Sequence, residues 1–208
     1  KPQAQLIQQE IIIFQGIALL FRVQNYILEI RKLIPVGVCK KVIDFFGEDY
    51  QEALVTGDKT GDDLKEIRNC VITDILNSKN SLGKTILVKY LNTCILSAVN
   101  SYVEKHPYLA YTKMSELSLL KYQHNKHKVG YAYHTDSHEK TPKRTLSCSI
   151  ALNNNYKGGD FEFDINGKIY RYSQNIGDCI LFPSNFMFPH TVTQITKGTR
   201  HALISWIV

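Results

Sequence analysis

The stretch YAYHTDSHEK (residues 131–140) sets two histidines and two acids within ten residues. His134 and Asp136 are one residue apart. On a β-strand, residues i and i+2 project from one face, so this pair can reach a single ion. One further imidazole would complete a facial set of two histidines and one carboxylate. Such a set holds iron(II) and leaves coordination positions open. His190 is suitably placed, after the strand-like DCILFP and a turn-rich crossover, at the head of another alternating run. H-x-D alone is a weak signal, which exposed polar loops produce more often than metal sites do.

A second group strengthens the reading. Arg200 lies ten residues beyond His190, directly before HALISW. A β-hairpin between them would set both on neighbouring strands. An arginine at the bottom of a pocket can grip a carboxylate through two parallel hydrogen bonds. Open metal positions at the mouth and a carboxylate clamp below are what an α-keto diacid requires.

Short strands must position these residues. SLLKYQ, TLSCSIAL, DCILFP and HALISWIV read as strands, and GDFEFDINGKIYRY reads as a hairpin turning at Asn166-Gly167. The first half carries the helical patterns. IPVGVCKKVIDFFGE spaces Val38, Val42, Ile43 and Phe46 for one face. LGKTILVKYLNTCILSAVNSYVEKH does so with Ile86, Leu87, Tyr90, Leu91, Cys94 and Ile95. SLGKT there reads as helix initiation rather than the end of a phosphate loop. VTGDKTGDDLKEI reads as a polar loop, and IIIFQGIALLFRV as a buried strand or helix too short to span a bilayer. The pattern predicts one domain over 1–208, with a helix-rich supporting region (1–106) and a β core (107–208).

In order along the chain, these motifs resemble the iron(II)/2-oxoglutarate dioxygenases, specifically the prolyl 4-hydroxylase group. A tyrosine-bearing strand precedes H-x-D in LLKYQHNKHKVGYAYHTD. RTLSCSIALN, YKGGDFEF and GDCILFP follow, then His190, Val192, Arg200 and Trp206. The resemblance runs from about Ser115 to the C-terminus. It implies an α+β fold: a double-stranded β-helix (jelly-roll) barrel supported by N-terminal helices. It also implies that His134, Asp136 and His190 bind Fe(II), that Arg200 pairs with the distal carboxylate of 2-oxoglutarate, and that Tyr122 hydrogen-bonds that co-substrate. Tyr131 is a candidate for the substrate side and Trp206 for a wall of the site. The family often carries lysine at the Arg200 position, and some relatives place a tyrosine where this chain has Ala151. Apart from the resemblance, Tyr122 and Trp206 read equally well as core aromatics, and His124, His127 and His138 as exposed.

Composition bounds the rest. The chain has 208 residues and a net charge of +6, with the apolar and charged fractions of an ordinary globular protein. Residues 121–144 hold six basic residues (Lys121, Lys126, Lys128, Lys140, Lys143, Arg144) against Asp136 and Glu139. Five widely spaced cysteines without a C-x-x-C pair, and no N-x-[ST] acceptor, fit reduced thiols and a reducing, cytoplasmic setting. No membrane association is expected, and oligomeric state has no signal. The expected activity is 2-oxoglutarate-dependent hydroxylation of a C–H bond, most simply prolyl 4-hydroxylation of a peptide or protein bearing acidic groups. O2 would be consumed and ascorbate would serve as reductant. The alternatives are oxidative demethylation of nucleic acid, hydroxylation of a free amino acid, or a non-catalytic β-barrel binding module.

Overall fold

The computed structural model describes residues 23–208 apart from 49, 53–69, 79–80 and 125–129. The apolar run 11–22 and the polar run 55–67 lie outside the described residues. Among the described residues two α-helices flank the fold, α1 (Val36–Phe46) and α2 (Leu82–Lys105). Pro35 enters α1 in an extended conformation that suits a helix start, and Gly47 ends it by donating its N–H to Ile43. Ser81 caps α2, its hydroxyl accepting from the Lys84 N–H over 3.2 Å. SLGKT is thus a helix start, as its sequence suggests.

The buried stripe of α2 is Leu87, Val88, Leu91, Ile95, Ala98, Val99 and Tyr102. Ile86 and Tyr90, expected on that face, are 59% and 40% exposed. Apolar residues such as Leu82, Ile86 and Tyr90 also stand on the outer side of the helix, so the sheet it meets selects the buried face. Length and composition alone would let α2 cross a bilayer. Its apolarity has a local explanation in the core it builds with Val42, Phe46, Leu119, Ile150 and Leu203.

Among the described residues twelve strands form two sheets, one short strand lying off the main path. The larger runs in the order β1 (Leu28–Ile30), β10 (Cys179–Pro183), β6 (Leu146–Ala151), β12 (Lys197–Ile207), β4 (Met114–Gln123), β3 (Val71–Asp74) and β2 (Gln51–Glu52). The short β7 (Tyr156–Lys157) pairs with the start of β12. The smaller sheet is β5 (Tyr131–His134), β11 (His190–Val192), β8 (Phe161–Ile165) and β9 (Lys168–Tyr172). This is the double-stranded β-helix, or jelly roll. Three strands of the larger sheet come from the first half of the chain, which therefore supplies strands as well as helices.

The central strands of the larger sheet are buried on both faces. On β10, Cys179 and Leu181 join the helix-side core, whereas Ile180 and Phe182 join Phe161, Phe163 and Val192 between the sheets. A strand covered on both sides reads as a continuous apolar run, which is what CILF is. The β8–β9 hairpin turns at Asn166 (φ 54°) and Gly167 (φ 76°), and two successive positive φ values match the twist of the flanking strands. None of the five cysteines is in a disulfide, and Cys39, Cys148 and Cys179 are buried.

Candidate active site

His134 ends β5 and His190 begins β11, and the two residues are direct cross-strand partners. Asp136 lies two residues past His134, already beyond the strand. The H-x-D pair therefore straddles a strand end rather than occupying one strand face. The Nε2 atoms of His134 and His190 each lie 3.6 Å from a carboxylate oxygen of Asp136. One ligand atom from each residue falls within 4.8 Å of the others. Metal–ligand bonds of roughly 2 Å fit one ion at the common focus of three such atoms.

Hydrogen bonds behind the cluster fix the orientation and tautomer of both imidazoles. His134 Nδ1 lies 2.8 Å from the Ala132 carbonyl, and His190 Nδ1 lies 3.1 Å from that of Phe188. A carbonyl oxygen only accepts, so Nδ1 carries the proton. Nε2 then presents its lone pair to the centre when the ring is neutral. Burial pushes the His190 imidazole down to about 4, favouring that neutral form. Burial alone would raise the Asp136 carboxyl. The nearby imidazoles of His190 and His134, with the Ser147 hydroxyl, outweigh it and hold the group below the usual carboxylate range. Ser147 donates to Asp136 Oδ2 over 2.6 Å and, its proton so committed, accepts from Ser184 over 2.8 Å. Thr141 and Arg144 donate to the Asp136 backbone carbonyl over 2.8 and 3.3 Å, anchoring the loop.

All three residues line a cavity of about 310 Å³, and so do Arg200, Tyr122, Tyr131 and Trp206. Arg200 is within β12 rather than before it, and it is 1% exposed. It is not on a strand neighbouring His190, as a simple hairpin would have it. The chain crosses from the smaller sheet to the larger one between β11 and β12, and the two residues line the same cavity from different sheets. The register partner of Arg200 is Tyr122 on β4. Its guanidinium carbon sits 5.6 Å from the Tyr122 ring centre and 5.8 Å from that of Phe161. Gly159 (φ 75°) leaves room for it, since a Cβ there would fall 2.8 Å from Arg200 Cδ.

Tyr131 stacks on His134 with ring centres 3.5 Å apart. Trp206 is buried, and the Arg144 guanidinium lies 3.6 Å from its ring centre while bonding Glu116 Oε1 at 2.8 Å. His138, read from sequence as exposed, is only partly so and lines the cavity. Ser147 carries no role in the sequence analysis, and Arg144 enters it only as one of the basic residues of 121–144. A faint signal for Ser147 was available, because β6 alternates serines with apolar residues and is buried throughout.

The cavity is equipped for a polar occupant. Among the described residues, no carboxylate forms an ion pair with Arg200, and its Nε and the Ser149 hydroxyl are buried without hydrogen-bond partners. A buried guanidinium without a counter-charge and a buried hydroxyl without a partner carry a substantial desolvation cost, which a ligand carboxylate relieves. The donor set for iron(II) and the cation for a diacid therefore share one chamber, and the residues fit both groups.

Residues 117–208 match the profile of the 2OG-Fe(II) oxygenase superfamily. Among solved structures it resembles a prolyl hydroxylase from Trichoplax adhaerens, determined with a hypoxia inducible factor oxygen degradation domain peptide fragment. The TM-score is 0.72 at 18% identity, covering 88% of this chain and 83% of that one. A Pseudomonas putida prolyl-4-hydroxylase gives 0.65 at 16% identity, over 88% and 91%. The viral collagen prolyl hydroxylase of Paramecium Bursaria Chlorella virus-1, in its 2OG complex, gives 0.61 at 16%, over 88% and 95%. At such identities the likeness establishes the fold. No curated protein matches the chain in sequence.

Proposed function

We propose that this chain is an iron(II)/2-oxoglutarate-dependent dioxygenase that hydroxylates a prolyl residue of a polypeptide. The observation that carries the reaction class is the pairing, within one cavity, of the His134–Asp136–His190 cluster with the buried Arg200. Iron(II) held by the three residues supplies the activation of O2 that converts a C–H bond, 2-oxoglutarate and O2 to C–OH, succinate and CO2. Arg200 anchors the distal carboxylate of 2-oxoglutarate, Tyr122 offers its hydroxyl beside that anchor, and the apolar walls exclude water. Ascorbate serves as the reductant that keeps the iron ferrous.

The prolyl assignment draws on the likeness to three prolyl hydroxylases, one of them solved with a peptide. An extended substrate is also supported by a second cavity of about 790 Å³, which shares Arg144 with the first. Its described lining includes Lys105, Tyr108, Met187 and Phe188 and no acid, which suits an apolar segment with acidic groups.

The test is incubation with iron(II), ascorbate, 2-oxoglutarate and a proline-containing peptide library, read by mass spectrometry. Addition of one oxygen to prolyl peptides, with succinate released and none of either with His134→Ala, is expected. Oxygen added only to a free amino acid, or demethylation of an alkylated oligonucleotide, would redirect the substrate assignment. Absence of succinate under every condition would overturn the enzyme reading.

A further inference from the structure

We infer that Gln174 is a positioning residue that aims Arg200 at the distal carboxylate of 2-oxoglutarate without neutralising it; this rests on the role given to Arg200 above. Gln174 lies between β9 and β10. Its Nε2 donates to the Ser149 carbonyl over 2.9 Å and to the Asp178 carbonyl over 3.0 Å. Both amide protons are thereby committed to backbone oxygens from two segments. The flipped amide would press Oε1 against those two carbonyls, so the orientation is fixed by chemistry. With the amide so held, Oε1 accepts from Arg200 Nη2 at 3.4 Å.

A buried guanidinium has five N–H donors in one plane and needs at least one fixed acceptor to define that plane. A carboxylate at this place would supply one, but it would also pair with the charge and compete with the incoming ligand. The nearby acid, Asp178, is occupied elsewhere. Its carboxylate accepts from Arg31 Nη1 at 2.8 Å and from the backbone N–H groups of Lys32 and Asn175, both at 2.9 Å. A neutral amide acceptor orients Arg200 and leaves its positive charge for the ligand.

Calorimetric titration of the full chain loaded with manganese(II) tests this, comparing 2-oxoglutarate with 2-oxobutyrate, which lacks only the distal carboxylate. Gln174→Met should weaken 2-oxoglutarate roughly tenfold, the scale of one hydrogen bond to a charged group. It should leave 2-oxobutyrate unchanged. In an Arg200→Lys background the same substitution should add nothing, because its effect passes through the guanidinium. Gln174→Glu, nearly isosteric, should lose at least as much by pairing with Arg200; this variant keeps the question open to test if Gln174→Met does not fold. Unchanged 2-oxoglutarate affinity in the folded variants, equal losses for both ligands, or the full loss in the Arg200→Lys background would each overturn the inference. Wild-type protein that failed to prefer 2-oxoglutarate over 2-oxobutyrate would instead remove the underlying role of Arg200, and the inference with it.

Discussion

Ser147 and Asp136 share a buried hydrogen bond of 2.6 Å in which the hydroxyl donates to the carboxylate, backed by Ser184. It leaves Oδ1 of Asp136 toward His134 and fixes the plane of the carboxylate. Groups that orient a metal ligand from behind typically contribute 10–100-fold to metal affinity. Ser147→Ala should therefore weaken iron(II) binding by roughly that factor while the fold persists. Metal titration followed by circular dichroism checks both parts, and unaltered affinity would reduce Ser147 to packing.

Arg200 should dominate co-substrate affinity. Removing one partner of a buried charge pair costs about 2–5 kcal/mol, so Arg200→Ala should weaken 2-oxoglutarate binding severely. Lysine should restore part of the loss, since it keeps the charge but not the planar fork. A titration in which alanine and arginine bind equally well would place the diacid elsewhere.

Much of this site could be read from the chain, for identifiable reasons. His134 and Asp136 are close in sequence, and the tight turn at Asn166-Gly167 announces itself chemically. The relation of Arg200 to His190 was not legible, because a hairpin and a jelly-roll crossover look alike over ten residues. Ser147 and Gln174 matter through hydrogen bonds of which all but one reach partners 11 to 37 residues away, and no local pattern marks them. The face of α2 was only partly legible because apolar residues such as Ile86 and Tyr90 also occupy its exposed side, which blurs the periodicity. The strands β2 and β3 escaped notice because each is too short to display alternation.

Stability should depend on pH through His201, on the face of β12 opposite Arg200. Burial and, secondarily, Lys121 lower its imidazole from 6.5 to about 4. As pH falls, the unfolded chain takes up this proton first, so the folded state loses ground. Thermal stability should be nearly level above pH 6.5 and fall between 6.5 and about 4. His190, shifted the same way, adds to the slope in metal-free protein. His201→Asn should flatten part of it in melting curves taken across that range; an identical slope would exclude His201 as a contributor.

Substrate charge should matter at low salt. Lys140, Lys143 and Arg144 lie in the loop following Asp136, and Lys105 lines the neighbouring cavity. Exposed charges act over about 8–10 Å at moderate ionic strength, so acidic prolyl peptides should outpace basic ones at low salt and lose that lead as salt rises. Equal rates for both at every ionic strength would leave the basic rim as ordinary solvated surface.

The direct pairing of His134 with His190 across β5 and β11 makes the centre sensitive to chain length in some places and indifferent in others. A single-residue insertion within either strand would send one imidazole to the opposite face, because side chains alternate with every residue. The same insertion at Asn166-Gly167 would only lengthen a hairpin tip. Insertions and deletions should therefore be tolerated in this molecule by place rather than by size: several residues at the tip of β8–β9 should cost less iron binding than one residue between Tyr131 and His134.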